Sequence, residues 1–153
     1  MYHSNRIIPE NYWKKYNNFT TRTVKHNCGI ILKKQSNHFF VVQTYNNYYG
    51  FPKGSVKDNY EQFRDCAVRE FYEETGYLLD LSEFETEQLV IKNDRTKVTY
   101  VFFVVHVPET FDIPTRPVDD VEITSYGWAH GKKIRNLRCS EITGRAICRL
   151  LKA

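Results

Sequence analysis

The alternation of apolar and polar positions predicts strands in both halves of the chain. Short runs of β-branched and aromatic residues, bounded by turn residues, are typical of strands. Five such segments are predicted, over 26–33, 38–44, 86–92, 97–107 and 122–128. The run over 97–107 is apolar on both faces, which favours a central position in the sheet.

Helical periodicity predicts two helices. The first starts near Asp58 or Asn59, both good N-caps, and continues through Thr75, with Gly76 placed for a left-handed C-terminal cap. The second begins at about Ser140 and carries its apolar residues on one face. The order of the elements favours an α/β (α+β) fold, an α/β/α sandwich around a mixed β-sheet.

Length and composition indicate a single domain over residues 1–153, with a short N-terminal extension over 1–23 and a basic C-terminal helix over 139–153. A hydrophobic content of 41% excludes an intrinsically disordered chain. No apolar run has the length of a membrane span, and the first residues do not resemble a signal peptide. We therefore expect no membrane association, a cytoplasmic location (in the host if the protein is viral) and reduced cysteines.

The net charge of +4 conceals a strong segregation of charge along the chain. Residues 1–57 carry nine lysines and arginines against one acid, whereas residues 58–130 carry six against sixteen. Residues 131–153 carry seven basic residues against one acid. This order suits an acidic metal site between surfaces that attract a polyanion. For any single lysine, an ordinary solvated side chain is the alternative.

Three glutamates near the end of the first helix, Glu70, Glu73 and Glu74, fall within one sector about 100° wide. Apolar residues one or two turns earlier share that sector, so we expect the acids to extend an inward-facing stripe. Like charges at this spacing repel, and partly buried carboxylates without partners are costly. Because Mg²⁺ and Mn²⁺ prefer oxygen ligands, the cluster predicts a divalent-metal site. The alternative is a surface acid cluster neutralised by lysines.

The segment ahead of this helix offers phosphate-binding chemistry. Gly50 to Ser55 is predicted as a loop, because it contains a proline between glycines. Lys53 supplies a positive charge, and Gly54 permits the close approach of a ligand. Tyr49 and Phe51 could stack on a base beside the phosphates, although filling the core is an equally good role for each ring.

These residues resemble the signature of a known family. Gly54, Glu61 and the run Arg69-Glu70-Phe71-Tyr72-Glu73-Glu74-Thr75-Gly76-Tyr77 resemble the Nudix box of hydrolases that cleave a diphosphate linked to another moiety. Seven residues separate Glu61 from Arg69, as in the family pattern. Six separate Gly54 from Glu61, one more than the pattern has. The resemblance implies hydrolysis of a diphosphate with Mg²⁺ or Mn²⁺.

Within that family, residues 50–54 and 65–70 are most similar to the mRNA-decapping catalytic subunit and related viral decapping enzymes. The implied substrate is capped RNA, cleaved to a cap nucleoside diphosphate (m7GDP) and RNA with a 5′-monophosphate. The implied metal ligands are Gly54, Glu70, Glu73 and Glu74. The implied catalytic residues are Glu73, Glu74 and Glu122, with Glu122 the favoured general base. Substrate contacts are expected from Tyr49, Phe51, Lys53, Arg145 and Arg149, and structural roles from Glu61, Arg69 and Gly76.

Other functions stay open at this point. Diphosphoinositol polyphosphates, dinucleoside polyphosphates and nucleotide sugars are alternative Nudix substrates, and the basic segments suit inositol polyphosphates nearly as well as RNA. A catalytically silent cap- or RNA-binding module is a second alternative, which the complete set of glutamates disfavours. For the C-terminal helix, an arginine-rich face that covers a sheet edge is as good an interpretation as RNA contact.

Overall fold

The computed structural model describes residues 25–57, 60–114 and 123–151. Its strands are β1 (Lys25–Lys33), β2 (His38–Thr44), β3 (Tyr49–Gly50), β4 (Lys53–Ser55), β5 (Glu85–Asn93), β6 (Val98–His106) and β7 (Ile123–His130). Its helices are α1 (Phe63–Thr75), α2 (Gly131–Asn136) and α3 (Glu141–Leu151), with a 3-10 turn at Leu81–Glu83. The predicted extension over 1–23, the predicted N-caps Asp58 and Asn59, and Glu122 lie outside the described residues.

The seven described strands form one mixed sheet, in which β1 and β6 are parallel and the other pairs are antiparallel. β6 lies between β1 and β5, which confirms the prediction of a central strand. β1 and β2 pair at Lys33 and Phe39, next to their connecting turn. Further along, β3 pairs with β2 and β4 pairs with β1. The short strands β3 and β4 therefore lie between β1 and β2, at the end of these strands away from their connecting turn.

The prediction of a loop over 50–55 is wrong, because β3 and β4 occupy its two ends. Pro52 has no N–H, but its carbonyl oxygen accepts a hydrogen bond from the backbone N–H of Ile30 at 3.1 Å. A Cβ built on Gly29 would lie 2.5 Å from that oxygen. Glycine at this point of β1 therefore lets the segment approach the strand and join the sheet.

Side chains alternate across the sheet and form two cores. α1 covers one face, where Ile30, Leu32 and Phe40 are buried. α2 and α3 cover the other face, where Ile31 and Phe39 are buried. The predicted α/β/α sandwich is therefore confirmed. No helix within the described ranges is long and apolar enough to cross a membrane.

Helix α1 begins at Phe63, later than predicted, and ends where predicted. Gln62 takes the N-cap position with φ −69° and ψ 150° and makes no side-chain cap. The carboxylate of Glu61 accepts a hydrogen bond from the backbone N–H of Lys57 at 2.7 Å, which holds the chain ahead of the helix outside helical geometry. At the other end, Gly76 is left-handed with φ 76°, and its N–H donates to a carbonyl of the last turn.

Candidate active site

Gly54 and the carboxylate of Glu70 lie against each other where β4 faces α1. An ideal Cβ on Gly54 would lie 2.1 Å from Cδ of Glu70, and 2.2 and 2.4 Å from its two carboxylate oxygens. The missing side chain of Gly54 thus provides the space in which the Glu70 carboxylate stands. The Glu70 side chain is 15% exposed, so this carboxylate is largely removed from water.

Arg69 connects the carboxylates of α1 to the segment ahead of the helix. Its Nε donates to Oε2 of Glu61 at 2.7 Å and its Nη2 to Oε1 at 3.0 Å, which makes a bidentate pair. Nη1 donates to Oε2 of Glu70 at 2.9 Å and to Oε2 of Glu73 at 3.2 Å. Nη2 also reaches the carbonyl oxygen of Ser55 at 3.1 Å. Glu61 therefore contacts both Arg69 and the segment that leads into α1.

The two carboxyl groups beside Arg69 differ in their pKa values. The hydrogen bond from Arg69 holds the pKa of Glu61 below its ordinary value. Burial raises the pKa of Glu70 above its ordinary value, although Arg69 acts in the opposite direction. The negative charge of Glu70 is therefore incompletely compensated, and a further cation beside it would favour the ionised form.

Glu73 and Glu74 lie one turn beyond Glu70 on α1. Glu74 is half-buried, as expected for an inward-facing stripe. The side chain of Glu73 is 51% exposed, so the predicted inward orientation is wrong for this residue. It lies at the edge of the acidic sector, one turn after Arg69, and pairs with that guanidinium. Within the described ranges, no three His, Cys, Asp or Glu side chains converge as a metal-ligating group.

Lys53 lies on the opposite face of the sheet from the carboxylates. Neighbouring residues of a strand point to opposite faces, and Gly54 faces α1. Nζ of Lys53 lies 5.6 Å from the ring centroid of Tyr100. Tyr100 stacks on Phe102, which is buried in the core beneath α3. The structure thus brings Glu70 and Gly54 together but does not place Lys53 beside them.

The family follows from a comparison with known domain families. The model described as the NUDIX domain matches residues 24–142. The chain belongs to the NUDIX domain family. Family membership supports a Nudix pyrophosphohydrolase, an activity that suits the carboxylate-bearing helix α1.

Two proteins of known name are similar in sequence to this Nudix chain. Protein 111R of Invertebrate iridescent virus 3, which carries the name of a hydrolase, is 24% identical over 126 residues, covering 82% of this chain and 70% of that protein. The m7GpppN-mRNA hydrolase dcap-2 of Caenorhabditis elegans is 32% identical over 110 residues. That match covers 69% of this chain but 13% of dcap-2, so it spans a small part of the longer protein.

A solved structure has the same fold. The bifunctional NMN adenylyltransferase/ADP ribose pyrophosphatase of Francisella tularensis, complexed with AMP and a Mn ion, superposes with a TM-score of 0.70 at 16% identity. The superposition covers 94% of this Nudix chain and 46% of that chain. At 16% identity, this likeness shows a shared fold and nothing beyond it.

The carboxylates of α1 have the donor chemistry that suits the divalent ion, such as Mg²⁺ or Mn²⁺, that Nudix hydrolases typically use, although in the described ranges no three of them converge on one point. All the candidate donors are oxygens, which such hard cations prefer. Glu70 is a desolvated carboxylate with a raised pKa, and a cation would offset the cost of its charge. Gly54 leaves room beside it that any larger residue would fill.

Two aromatic residues expected to stack on a base lie in or near the core. Phe51 is 2% exposed and packs edge-to-face against Phe39 and Phe102, so its predicted role in substrate binding is wrong. Its buried position reflects the segment between β3 and β4, which turns the ring beneath α3. Tyr49 is half-buried, and its backbone N–H donates to the carbonyl of Arg138 at 2.9 Å.

Arg145 and Arg149 lie along the free edge of the sheet. Nη1 of Arg145 donates to the carbonyl oxygen of Lys92 at 3.1 Å, and Nη1 of Arg149 donates to that of Val90 at 3.0 Å. Both carbonyls belong to β5, the edge strand, so the two arginines satisfy backbone acceptors that face away from β6. These contacts favour the interpretation in which α3 covers a sheet edge.

Sequence reasoning missed the role of Cys66 and Gly29 in supporting Gly54. The thiol of Cys66 donates to the carbonyl oxygen of Gly54 at 3.7 Å, while Arg69 Nη2 lies 3.8 Å from the same sulfur. Gly29 permits the approach of β4 to β1. A glycine inside an otherwise apolar strand is a recognisable signal of close backbone approach, whereas nothing in the sequence identifies the cysteine.

Proposed function

We propose that this Nudix chain hydrolyses the diphosphate linkage in the 5′ cap of mRNA and releases m7GDP and RNA with a 5′-monophosphate. The hydrolase part rests on one observation, the desolvated Glu70 carboxylate held against Gly54 within the Nudix signature. The choice of capped RNA is supported by the 32% identity to the m7GpppN-mRNA hydrolase dcap-2. The basic segments at both ends of the chain add an attraction for a polyanion.

Gly54, Glu70, Glu73 and Glu74 are the residues proposed to hold Mg²⁺ or Mn²⁺, with Gly54 acting through its carbonyl. When bound, the ion neutralises charge that develops on the diphosphate and makes an attacking water more acidic. Arg69 and Glu61 orient α1 relative to the segment that carries Gly54. This keeps the carboxylates in place while the substrate is bound.

Glu122 is the proposed general base, and Glu73 and Glu74 are less favoured for that role. A general base accepts a proton from water while the water oxygen forms a bond to phosphorus. The bridging phosphorus–oxygen bond breaks in the same displacement, and the leaving phosphate stays with the other product. The products are m7GDP, whose two phosphates remain joined by an anhydride, and RNA whose 5′ end is a phosphate monoester.

The test is incubation with cap-labelled RNA, a diphosphoinositol polyphosphate and a dinucleoside polyphosphate, each with Mg²⁺ and with Mn²⁺. We expect the highest kcat/KM for capped RNA and release of labelled m7GDP. Glu74→Gln should abolish metal-dependent turnover and leave the thermal midpoint unchanged. Preferred cleavage of either small substrate would contradict the proposal for capped RNA, and retained turnover in Glu74→Gln would remove that residue from the metal site.

A second candidate is hydrolysis of a nucleotide sugar such as ADP ribose, or of a dinucleoside or inositol polyphosphate. It is favoured by the fold shared with the ADP ribose pyrophosphatase of F. tularensis, whose complex contains AMP and a Mn ion. A silent cap- or RNA-binding module is the remaining candidate. Binding of capped RNA without any product in the presence of either metal would favour it.

A further inference from the structure

The turn between β2 and β3 exposes two aromatic rings beside the segment that leads to the site. Tyr45 is 69% exposed and Tyr48 is 37% exposed. Large aromatic side chains usually contribute to cores, and exposed ones with a polar tip are characteristic of binding surfaces. From Tyr48 the chain continues directly through β3 and β4 to Gly54.

This turn is ordered by its own hydrogen bonds. The N–H of Thr44 donates to the carbonyl of Tyr48 at 2.9 Å, and the N–H of Asn47 donates to the carbonyl of Thr44 at 2.8 Å. Asn47 is left-handed with φ 67°, and Oδ1 of Asn46 accepts bonds from the hydroxyl of Thr44 and, at 3.4 Å, from the N–H of Tyr48. An ordered turn presents its rings with little entropy left to lose on binding.

Arg138 covers the ring of Tyr48. Its guanidinium carbon lies 4.4 Å from the ring centroid, and Nη2 donates to the phenol oxygen at 3.3 Å. Backbone bonds hold the pair in register, because Tyr49 N–H donates to the Arg138 carbonyl at 2.9 Å and Ser140 N–H donates to the Tyr49 carbonyl at 3.4 Å. A planar guanidinium stacked on a phenol ring is both flat and positively charged.

Proteins that bind single-stranded nucleic acid without reading the base sequence use flat stacking surfaces next to positive charge. Bases stack on aromatic rings and on arginine planes, and cationic groups neutralise the phosphates between them. Arg138 supplies such a cation, since its guanidinium carbon lies over the Tyr48 ring. Arg145 and Arg149 are engaged with carbonyls of β5, which leaves the Tyr48–Arg138 pair as the better stacking candidate.

We propose that Tyr48 and Arg138 form a stacking site for a base of single-stranded RNA, with the charge of Arg138 beside the adjoining phosphate. The inference rests on capped RNA as the proposed substrate and assigns the body of that RNA to the turn between β2 and β3. The diphosphate then lies at Gly54 and Glu70, and β3 and the start of β4 connect the two contacts along the chain. Binding of RNA at this site should not require the metal.

The test uses an uncapped single-stranded RNA that contains 2-aminopurine, titrated with metal-free protein. The wild type should bind the strand, quench the 2-aminopurine fluorescence by stacking, and bind more weakly as salt rises. Tyr48→Ala should raise Kd by roughly 5- to 150-fold, the effect of losing one stacked base, and should relieve the quenching. Tyr48→Phe keeps the ring and should stay close to the wild type.

The matched control is Tyr72→Ala, which removes a tyrosine that is 51% exposed on the outer side of α1. This variant should bind and quench as the wild type does. A wild type that does not bind RNA, a Tyr48→Ala variant that binds and quenches normally, or an equal loss in Tyr72→Ala would each overturn the inference. Unchanged thermal midpoints of the variants exclude unfolding as the cause of any loss.

The same variants separate this inference from the proposed activity. If the protein decaps RNA, Tyr48→Ala should raise KM for long capped RNA and leave turnover of a short capped nucleotide unchanged. If no cap is released but RNA binding depends on Tyr48, the proposed activity fails and the RNA site stands. Cap release from long RNA with an unchanged KM in Tyr48→Ala would leave the activity standing and overturn the stacking site.

Discussion

Helices α1 and α3, which cover opposite faces of the sheet, use their inward faces in opposite ways. α3 buries Ile142, Ala146 and Ile147 against the sheet, and its arginines cap carbonyls of β5. α1 buries Cys66, Ala67, Phe71 and Thr75, with the half-buried carboxylate of Glu70 among them. Carboxylates at such positions stabilise a fold less than apolar residues would. The difference indicates that α3 contributes mainly stability, whereas α1 retains costly groups for chemistry.

The contrast is also electrostatic. On α1 a single guanidinium, that of Arg69, is shared among Glu61, Glu70 and Glu73. Around Arg69, three carboxylates therefore share one positive charge, so the net charge of this group is negative. Elsewhere in the molecule, by contrast, Lys53 and Arg138 each lie over a tyrosine ring, and no carboxylate of the described residues forms an ion pair with either. Four predictions test this comparison.

Gly54→Ala should have the largest effect. The added Cβ would overlap the Glu70 carboxylate, so either the side chain or β4 must move. We expect a loss of turnover of about 100-fold, because displacements near 1 Å can cost that much. Stability should fall by less than about 1 kcal/mol, because the clash is with the end of a flexible side chain that can move aside. Turnover of a diphosphate substrate and thermal unfolding measure the two effects.

Gly127→Ala is the matched control, since it also places a methyl group in a strand. No heavy atom lies within 4 Å of the Cβ that it would introduce. Stability should therefore change by less than about 0.5 kcal/mol, with turnover unchanged. Equal losses in both variants would contradict a specific role for the contact between Gly54 and Glu70.

Arg69→Ala should destabilise the fold by about 1–3 kcal/mol, a range reduced because the side chain is one quarter exposed. The pKa of Glu61 is lowered in the fold, so its contribution is present above the ordinary value of 4.5 and is lost as pH falls below it. The variant should therefore lose less stability on acidification than the wild type. Urea unfolding across the acid range measures this, with exposed Arg64→Ala as control. A steeper acid loss in Arg69→Ala would contradict the account.

Replacing both Arg145 and Arg149 by lysine tests the role of α3. The positive charge is kept, but the planar donors to β5 are lost, so stability should fall by about 1–2 kcal/mol while turnover of a small diphosphate stays unchanged. Thermal unfolding and kinetic assays distinguish the effects, and exposed Arg135→Lys is the control. Unchanged stability in the double variant would show that the edge contacts contribute nothing.

Glu70→Gln should have the smallest effect on stability, and in the opposite direction. The pKa of Glu70 is raised in the fold, so its ionised form destabilises the protein as pH rises through that value. In metal-free buffer the variant should be slightly more stable than the wild type at neutral pH, and the difference should shrink below pH 4.5. Denaturant unfolding at both pH values measures it. A variant that is less stable at neutral pH would show that the charge of Glu70 stabilises the fold.

Much of the fold could be predicted because its strands and long helices have clear periodicity. The two hairpin strands, the central strand and the C-terminal helix follow from local patterns of apolar residues. α2 could not be predicted, since it is a single short helix. The pairing of β3 with β2 and of β4 with β1 could not be predicted either, because it depends on contacts between segments that are distant in the sequence. α1 begins later than the N-cap candidates predict, because the hydrogen bonds of Glu61 compete with helix formation.

The site was predictable in its residue types but not in its orientations. The spacing of Glu70 and Glu74 indicates the helix face, and both are half-buried. The outward position of Glu73 depends on its pairing with Arg69, which a helical wheel does not show. The burial of Phe51 and the separation of Lys53 from the carboxylates depend on the face of the sheet to which each side chain of residues 51–55 points. Period-two alternation determines these faces only when the strand itself is recognised.

The most direct test of the central claim, that α1 holds a divalent ion for pyrophosphohydrolysis, is a Mn²⁺ titration followed by electron paramagnetic resonance. The wild type should bind Mn²⁺ and its thermal midpoint should rise with the ion concentration. Glu70→Gln and Glu74→Gln should each weaken binding and remove that rise without lowering the metal-free midpoint. Wild-type Mn²⁺ affinity in both variants would contradict the assignment of α1 as the metal site.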